Sequence, residues 1–102
     1  MASYQIALDA ENDIREIFQY TQKSWGKNQA RVYRNLLKQR FEEIGKGQLL
    51  KRRFSPDIPG LLYTDAGSHF IFYLEQTEKK PIIVAVFHQS RNLTKLLIDR
   101  AK

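Results

Sequence analysis

Apolar residues repeat at helical spacing as far as Gly45 and at strand spacing from Gly60 onward. Between the two stretches, Pro56, Pro59 and Gly60 forbid a continuous helix. This change of period constrains the fold more than any other feature, because one half must supply helices and the other a sheet. Packed face to face, the two layers share one core, which is the α+β arrangement.

In the first half, Tyr4, Ile6 and Leu8 alternate with Gln5 and Ala7, which predicts a short strand with one buried face. Asp9 is then expected as a helix N-cap, with Glu11 in the first turn and spaced to pair with Arg15. Ile14, Ile17, Phe18 and Thr21 carry that helix to Trp25-Gly26, where glycine serves as the C-terminal cap. A second helix is predicted from Lys27 or Asn28 to Gly45. Its Tyr33, Leu37, Phe41 and Ile44 share one face, bordered by Ala30 and Leu36, whereas Lys27, Arg31, Arg34 and Lys38 fall within an arc of about 60° elsewhere. The link is so short that the two helices form an antiparallel hairpin.

The segment QLLKRRFSPDIPG reads as an exposed basic loop. GLLY, TDAG and SHFIFYL then read as strand, turn and strand, with Asp65-Ala66-Gly67 as turn residues. EQTEKK is a second turn, and the unbroken apolar run of PIIVAVFH predicts a central strand buried on both faces. NLTKLLIDRAK places Leu93, Leu96 and Leu97 at helical spacing behind a capping Asn92. The expected whole is an antiparallel sheet packed against an N-terminal helical hairpin, with a short C-terminal helix. It forms a single domain over residues 1–102.

Composition narrows the function. With 42% hydrophobic residues the chain can fill a core, and with no cysteine it has neither disulfides nor thiolate metal sites. Its N-terminus lacks the pattern of a signal peptide, and no apolar run reaches the roughly 20 residues that span a bilayer. A soluble cytoplasmic domain without membrane contact is therefore expected. The net charge of +6 is concentrated in residues 27–53, where nine basic residues face only Glu42 and Glu43. Such a concentration favours an acidic partner, either nucleic acid or protein.

The chemistry-bearing types converge on VFHQSRN, residues 86–92, with His88, Ser90, Arg91 and Asn92 packed together. His69 and His88 can approach across neighbouring strands, but two histidines alone make no zinc site, so no metal or other cofactor is expected. Gly45-Lys46-Gly47 precedes no helix able to aim its N-terminus at phosphate. Metal-free RNA cleavage needs a base, an acid and cations, and Arg52, Arg53, His69, His88 and Arg91 are suitable types. Against it, a strand-end histidine often serves structure, and Tyr63 and Tyr73 are as well explained by packing.

Asp13-Ile14, Ile17 and Tyr20, then Trp25-Gly26, then Ala30, Tyr33, Leu37 and Phe41 form an ordered set along the hairpin. His69, Ile71 and Tyr73 follow as H-x-I-x-Y, and Val86-Phe87-His88 closes the last strand. Together these residues resemble the RelE/ParE superfamily of bacterial type II toxins, and within it the ParE branch. The resemblance implies a toxin neutralised by a cognate antitoxin in a hetero-oligomer, part of a plasmid-stabilisation type of system. It implies inhibition of DNA gyrase by binding, without catalysis; the alternative is the RelE-like activity, cleavage of ribosome-bound mRNA. Under the first reading Lys27, Arg31, Arg34, Lys38, Arg52, Arg53, Arg91, Leu96 and Leu97 are the expected contact residues. Under the second, Arg52, Arg53, His88 and Arg91 are the expected catalytic set. The chain departs from the family pattern in two places. After His88, the common x-R-M-D is replaced by Gln89, Ser90, Arg91 and Asn92, and the usual Asn-Pro after the second helix is missing. No tyrosine or histidine follows His88 for acid–base work.

Overall fold

The structure, a computed structural model, describes residues 3–101. In chain order it comprises β1 (Gln5–Ile6), α1 (Leu8–Trp25), α2 (Lys27–Gly45), β2 (Arg52–Arg53), β3 (Leu61–Ala66), β4 (His69–Gln76), β5 (Lys79–His88) and α3 (Leu93–Ala101). All strands join one sheet in the order β1-β5-β4-β3-β2. The four strands β2 to β5 are antiparallel to their neighbours, while β1 lies parallel to β5. Strand direction at this edge was not written in the local pattern, because β1 and β5 are joined only through the rest of the fold. The α+β architecture otherwise matches expectation, with a helical hairpin first and a short helix last.

The sheet separates two cores where the two-layer reading expected one, because α3 covers the face turned away from the hairpin. On the hairpin face, Leu37, Phe41 and Ile44 of α2 meet Leu62, Ile71, Tyr73, Ile83 and Val86. On the opposite face, Leu61, Phe72, Ala85 and Phe87 are covered by Leu97 of α3. Residues of β5 thus enter both cores, which explains its unbroken apolar run.

Four local expectations change. The Ala7 N–H donates to the Ile83 carbonyl at 2.9 Å, so the last sheet bond is made one residue before the helix begins. Ala7 therefore occupies the N-cap without a side-chain bond, Asp9 lies inside the first turn, and Leu8 is exposed rather than part of a buried strand face. Arg15 bonds Asn12 at 3.0 Å instead of Glu11. The basic loop contributes an edge strand, with Arg52 opposite Tyr63 and Arg53 opposite Leu62. Finally, β3 extends to Ala66, which leaves Gly67-Ser68 as the turn. Among the described residues no helix is long and apolar enough to cross a membrane.

Candidate functional site

Gly26 ends α1 and begins α2, its positive φ of 93° reversing the chain in a single residue. A turn this tight sets the tip of the hairpin over the end of the sheet where β4 starts and β5 stops. A cleft of about 530 Å³ opens there. Ile17 and Thr21 belong to its apolar side, and Gln29, Tyr33, Ser68, His69 and His88 supply polar groups. Tyr20 and Trp25 complete the lining, 68% and 73% exposed.

Cross-strand pairing brings the two histidines together. His69 lies directly opposite His88, and their rings meet edge to face with centroids 5.2 Å apart. The Ser90 backbone N–H donates to His88 Nδ1 at 3.1 Å, with Ser90 Oγ 2.7 Å away. A ring nitrogen that accepts such a bond carries no proton, so this contact selects the tautomer with the proton on Nε2. His69 Nδ1 is hydrogen-bonded to the Tyr33 hydroxyl. That hydroxyl also accepts the Ser68 N–H at 3.1 Å and lies 3.1 Å from the Ala66 carbonyl. Burial first, and then the neighbouring His88, push the His69 imidazole down to about 4, so it is neutral at physiological pH. The Gly67 turn is shaped to this network: a Cβ there would stand 2.7 Å from the Tyr33 ring, at a φ of +59°.

The arginines do not join the histidines. Residues directly opposite each other in adjacent strands share a face. His69 and His88 therefore lie on the hairpin face, as does Arg53 opposite Leu62. Arg52 lies on the α3 face, its guanidinium 4.3 Å from the centre of the Tyr63 ring and 3.8 Å from Asp65. Three strand spacings and three residues separate Arg52 from His88, a backbone distance of about 17 Å. Arg91 follows the turn after β5 and sits 5.8 Å over Phe87, on the α3 face.

The predicted contact residues divide in the same way. Lys27, Arg31, Arg34 and Lys38 are all exposed along α2, with Arg34 lying 5.3 Å over Phe18 of α1. Leu97 is buried and Leu96 packs against the same core, so both are occupied by the chain's own α3 face. Tyr20, Trp25 and Tyr33 line the cleft although the sequence offered them only as hairpin residues. Their shared signal was spacing around the Trp25-Gly26 turn, which has meaning as a site only once the hairpin tip is placed over the sheet.

One further group closes the sheet. Beyond Ile83, β5 has no β1 partner. There Asp13 of α1 accepts the Val86 N–H at 3.0 Å, and Arg100 of α3 donates to the Val84 carbonyl at 3.2 Å. Arg100 also grips Asp13 through two bonds of 2.6 and 3.0 Å, and that pairing raises the guanidinium above its ordinary range. The edge is thus capped by side chains instead of a strand.

Comparison with known proteins agrees with this architecture. Residues 4–93 match the model of the family described as ParE toxin of type II toxin-antitoxin system, parDE. Toxin ParE of Escherichia coli is 30% identical over 102 residues, covering 100% of this chain and 99% of that one. Toxin ParE1 of Caulobacter vibrioides is 28% identical over 92 residues, or 90% and 94% of the two chains. A solved structure titled "Chromosomal ParDE TA system from P. aeruginosa" shares the fold at a TM-score of 0.72 and 14% identity, covering 86% of this chain and 96% of that one. With the family match spanning nearly the whole chain and the α+β hairpin-on-sheet fold in place, this protein belongs to the ParE toxin family of type II toxin–antitoxin systems.

Proposed function

We propose that this toxin inhibits DNA gyrase by binding it, and that a cognate antitoxin neutralises it in a hetero-oligomeric complex. The observation that carries binding over cleavage is the division of the charged groups by the sheet. A ribonuclease centre needs a base, an acid and cations around one phosphate. Here Arg52 and Arg91 lie on one face and the histidines on the other. The set Arg52, Arg53, His88 and Arg91 thus has no common focus. His88 is turned by its Ser90 bonds toward a structural role, as is His69 by Tyr33.

Gyrase as target is supported by kinship with the ParE toxins; the geometry contributes only the argument against RNA chemistry. The antitoxin is read as an acidic amphipathic segment. The row Lys27, Arg31, Arg34 and Lys38, together with Arg53, is its proposed electrostatic footing. No carboxylate interrupts α2 before Glu42.

A purified-component assay tests the reading: this protein with gyrase and plasmid DNA, beside a ribosome–mRNA reaction. Lost supercoiling or trapped cleaved DNA, with intact mRNA, is expected. Cut mRNA with unaffected gyrase would replace the proposal by the RelE-like one and make His88 the first residue to substitute.

A further inference from the structure

The chain has twelve aromatic residues by count of phenylalanine, tyrosine and tryptophan, and all lie within the described part. Ten are buried or half-buried; Tyr20 and Trp25 are exposed, and both line the cleft at the hairpin tip. Exposed aromatic rings gathered at a concave site, rather than scattered, mark a binding surface. Their neighbours decide what kind. Among the described residues no carboxylate lines the cleft. Its polar groups include the Gln29 amide and the Ser68 hydroxyl, which can both donate and accept, and His69, uncharged at physiological pH and with one ring nitrogen left over from its bond to Tyr33. Just outside, Lys23 stands one turn after Tyr20 and Lys27 two residues after Trp25, both exposed and neither in an ion pair among the described residues.

Rings for stacking, neutral groups for hydrogen bonds to a base edge, and lysines for the backbone are the three components of single-strand nucleic-acid recognition. An amphipathic protein segment would use the rings equally well, but it has no need of several neutral two-way hydrogen-bonding groups beside them. The space of about 530 Å³ is within the range that takes a small molecule the size of a nucleotide. We propose that this cleft binds an unpaired nucleotide of single-stranded DNA, its base stacked on Trp25 or Tyr20 and its phosphates against Lys23 and Lys27. Lys27 is shared with the α2 row proposed to receive the antitoxin, whereas Tyr20 and Trp25 lie outside that row, so the aromatic variants test this site independently of gyrase inhibition.

Trp25 is the single tryptophan, so its fluorescence reports directly on the cleft. The full chain is titrated with oligothymidylate and oligoadenylate of about twelve nucleotides, and with a duplex of matched length. Saturable quenching by the single strands is expected, with affinity at least about tenfold above that for duplex and a fall in affinity as salt rises. Labelled-oligonucleotide anisotropy then compares Trp25→Ala and Tyr20→Ala, each expected to weaken single-strand binding about tenfold. Both side chains are exposed, and thermal unfolding verifies that the variants stay folded. Lys27→Ala is expected to flatten the salt dependence without changing the preference for single strands. Three results would overturn the proposal: no quenching, equal affinity for duplex and single strand, or binding unchanged in both aromatic variants. Burial of Trp25 by an acidic protein segment, with oligonucleotides inert, would assign the cleft to a protein instead.

Discussion

Replacing Arg100 should expose how much of the fold depends on one side-chain clamp. The guanidinium and the Asp13 carboxylate are 26% and 12% exposed, so the pair is neither a surface salt bridge nor a fully buried one. Exposed pairs contribute about 0–1 kcal/mol, and breaking a buried one by removing a single partner costs about 3–5 kcal/mol. The two-bond geometry and the low exposure of Asp13 place this pair between them. Arg100 also lies 4.6 Å over the Phe87 ring and satisfies the Val84 carbonyl. Arg100→Met keeps much of the stem's packing and removes the charge and donors, so a loss of about 2 kcal/mol is expected. For a domain of this size that is a fall in Tm of about 10 °C, measurable by calorimetry or circular dichroism. Asp13→Asn keeps an acceptor for the Val86 N–H and should cost less, about 1 kcal/mol. The decisive quantity is the coupling: the double variant should be less destabilised than the sum of the singles by about 1 kcal/mol. Additivity within about 0.3 kcal/mol would refute the clamp and leave Arg100 as a packing residue only.

His69→Gln should flatten the acid side of the stability profile. The folded-state imidazole titrates at about 4 and the unfolded one near 6.5, so the folded state binds fewer protons between those values. Stability is fully present above about pH 6.5 and is lost as pH falls toward 4; Tm measured across that window should drop in the parent and drop less in the variant. Gly67→Ala combines a strained positive φ with a contact of 2.7 Å to Tyr33, and should cost about 2 kcal/mol in urea unfolding. An unchanged midpoint would show that Tyr33 swings away freely. Arg31→Glu with Lys38→Glu should weaken antitoxin binding at least about tenfold by calorimetric titration, while shifting stability by no more than about 0.5 kcal/mol, because both side chains are exposed. Equal antitoxin affinity would move the interface off α2.

The sequence by itself determined the parts whose signals are local. The helical hairpin ends where Gly26 and Gly45 predict, and Asn92 caps α3 through the Lys95 N–H at 3.3 Å. β5 is buried on both faces as its unbroken run implies. Hydrophobic period and turn chemistry act over a few residues, so they are legible without tertiary knowledge. The same reading overextended β1 and took Arg52-Arg53 as loop, because a two-residue strand has no period of its own and exists only through its partner.

The site depended on information that no local pattern contains. His69 and His88 were recognisable as strand residues able to meet, and register put them opposite each other. Sequence also made Arg52, Arg91 and His88 look like one constellation, which the faces of the sheet divide; alternation over two strands and a turn cannot be summed until the pairing is known. Tyr20 and Trp25 became a cleft only because the hairpin tip overhangs the end of the sheet. The clamp between Asp13 and Arg100 joins residues 87 positions apart and exists because β1 stops short of the end of β5. Local free energies choose helices and turns, whereas contacts distant in sequence are chosen by how two cores close around one sheet, and that closure belongs to the whole chain.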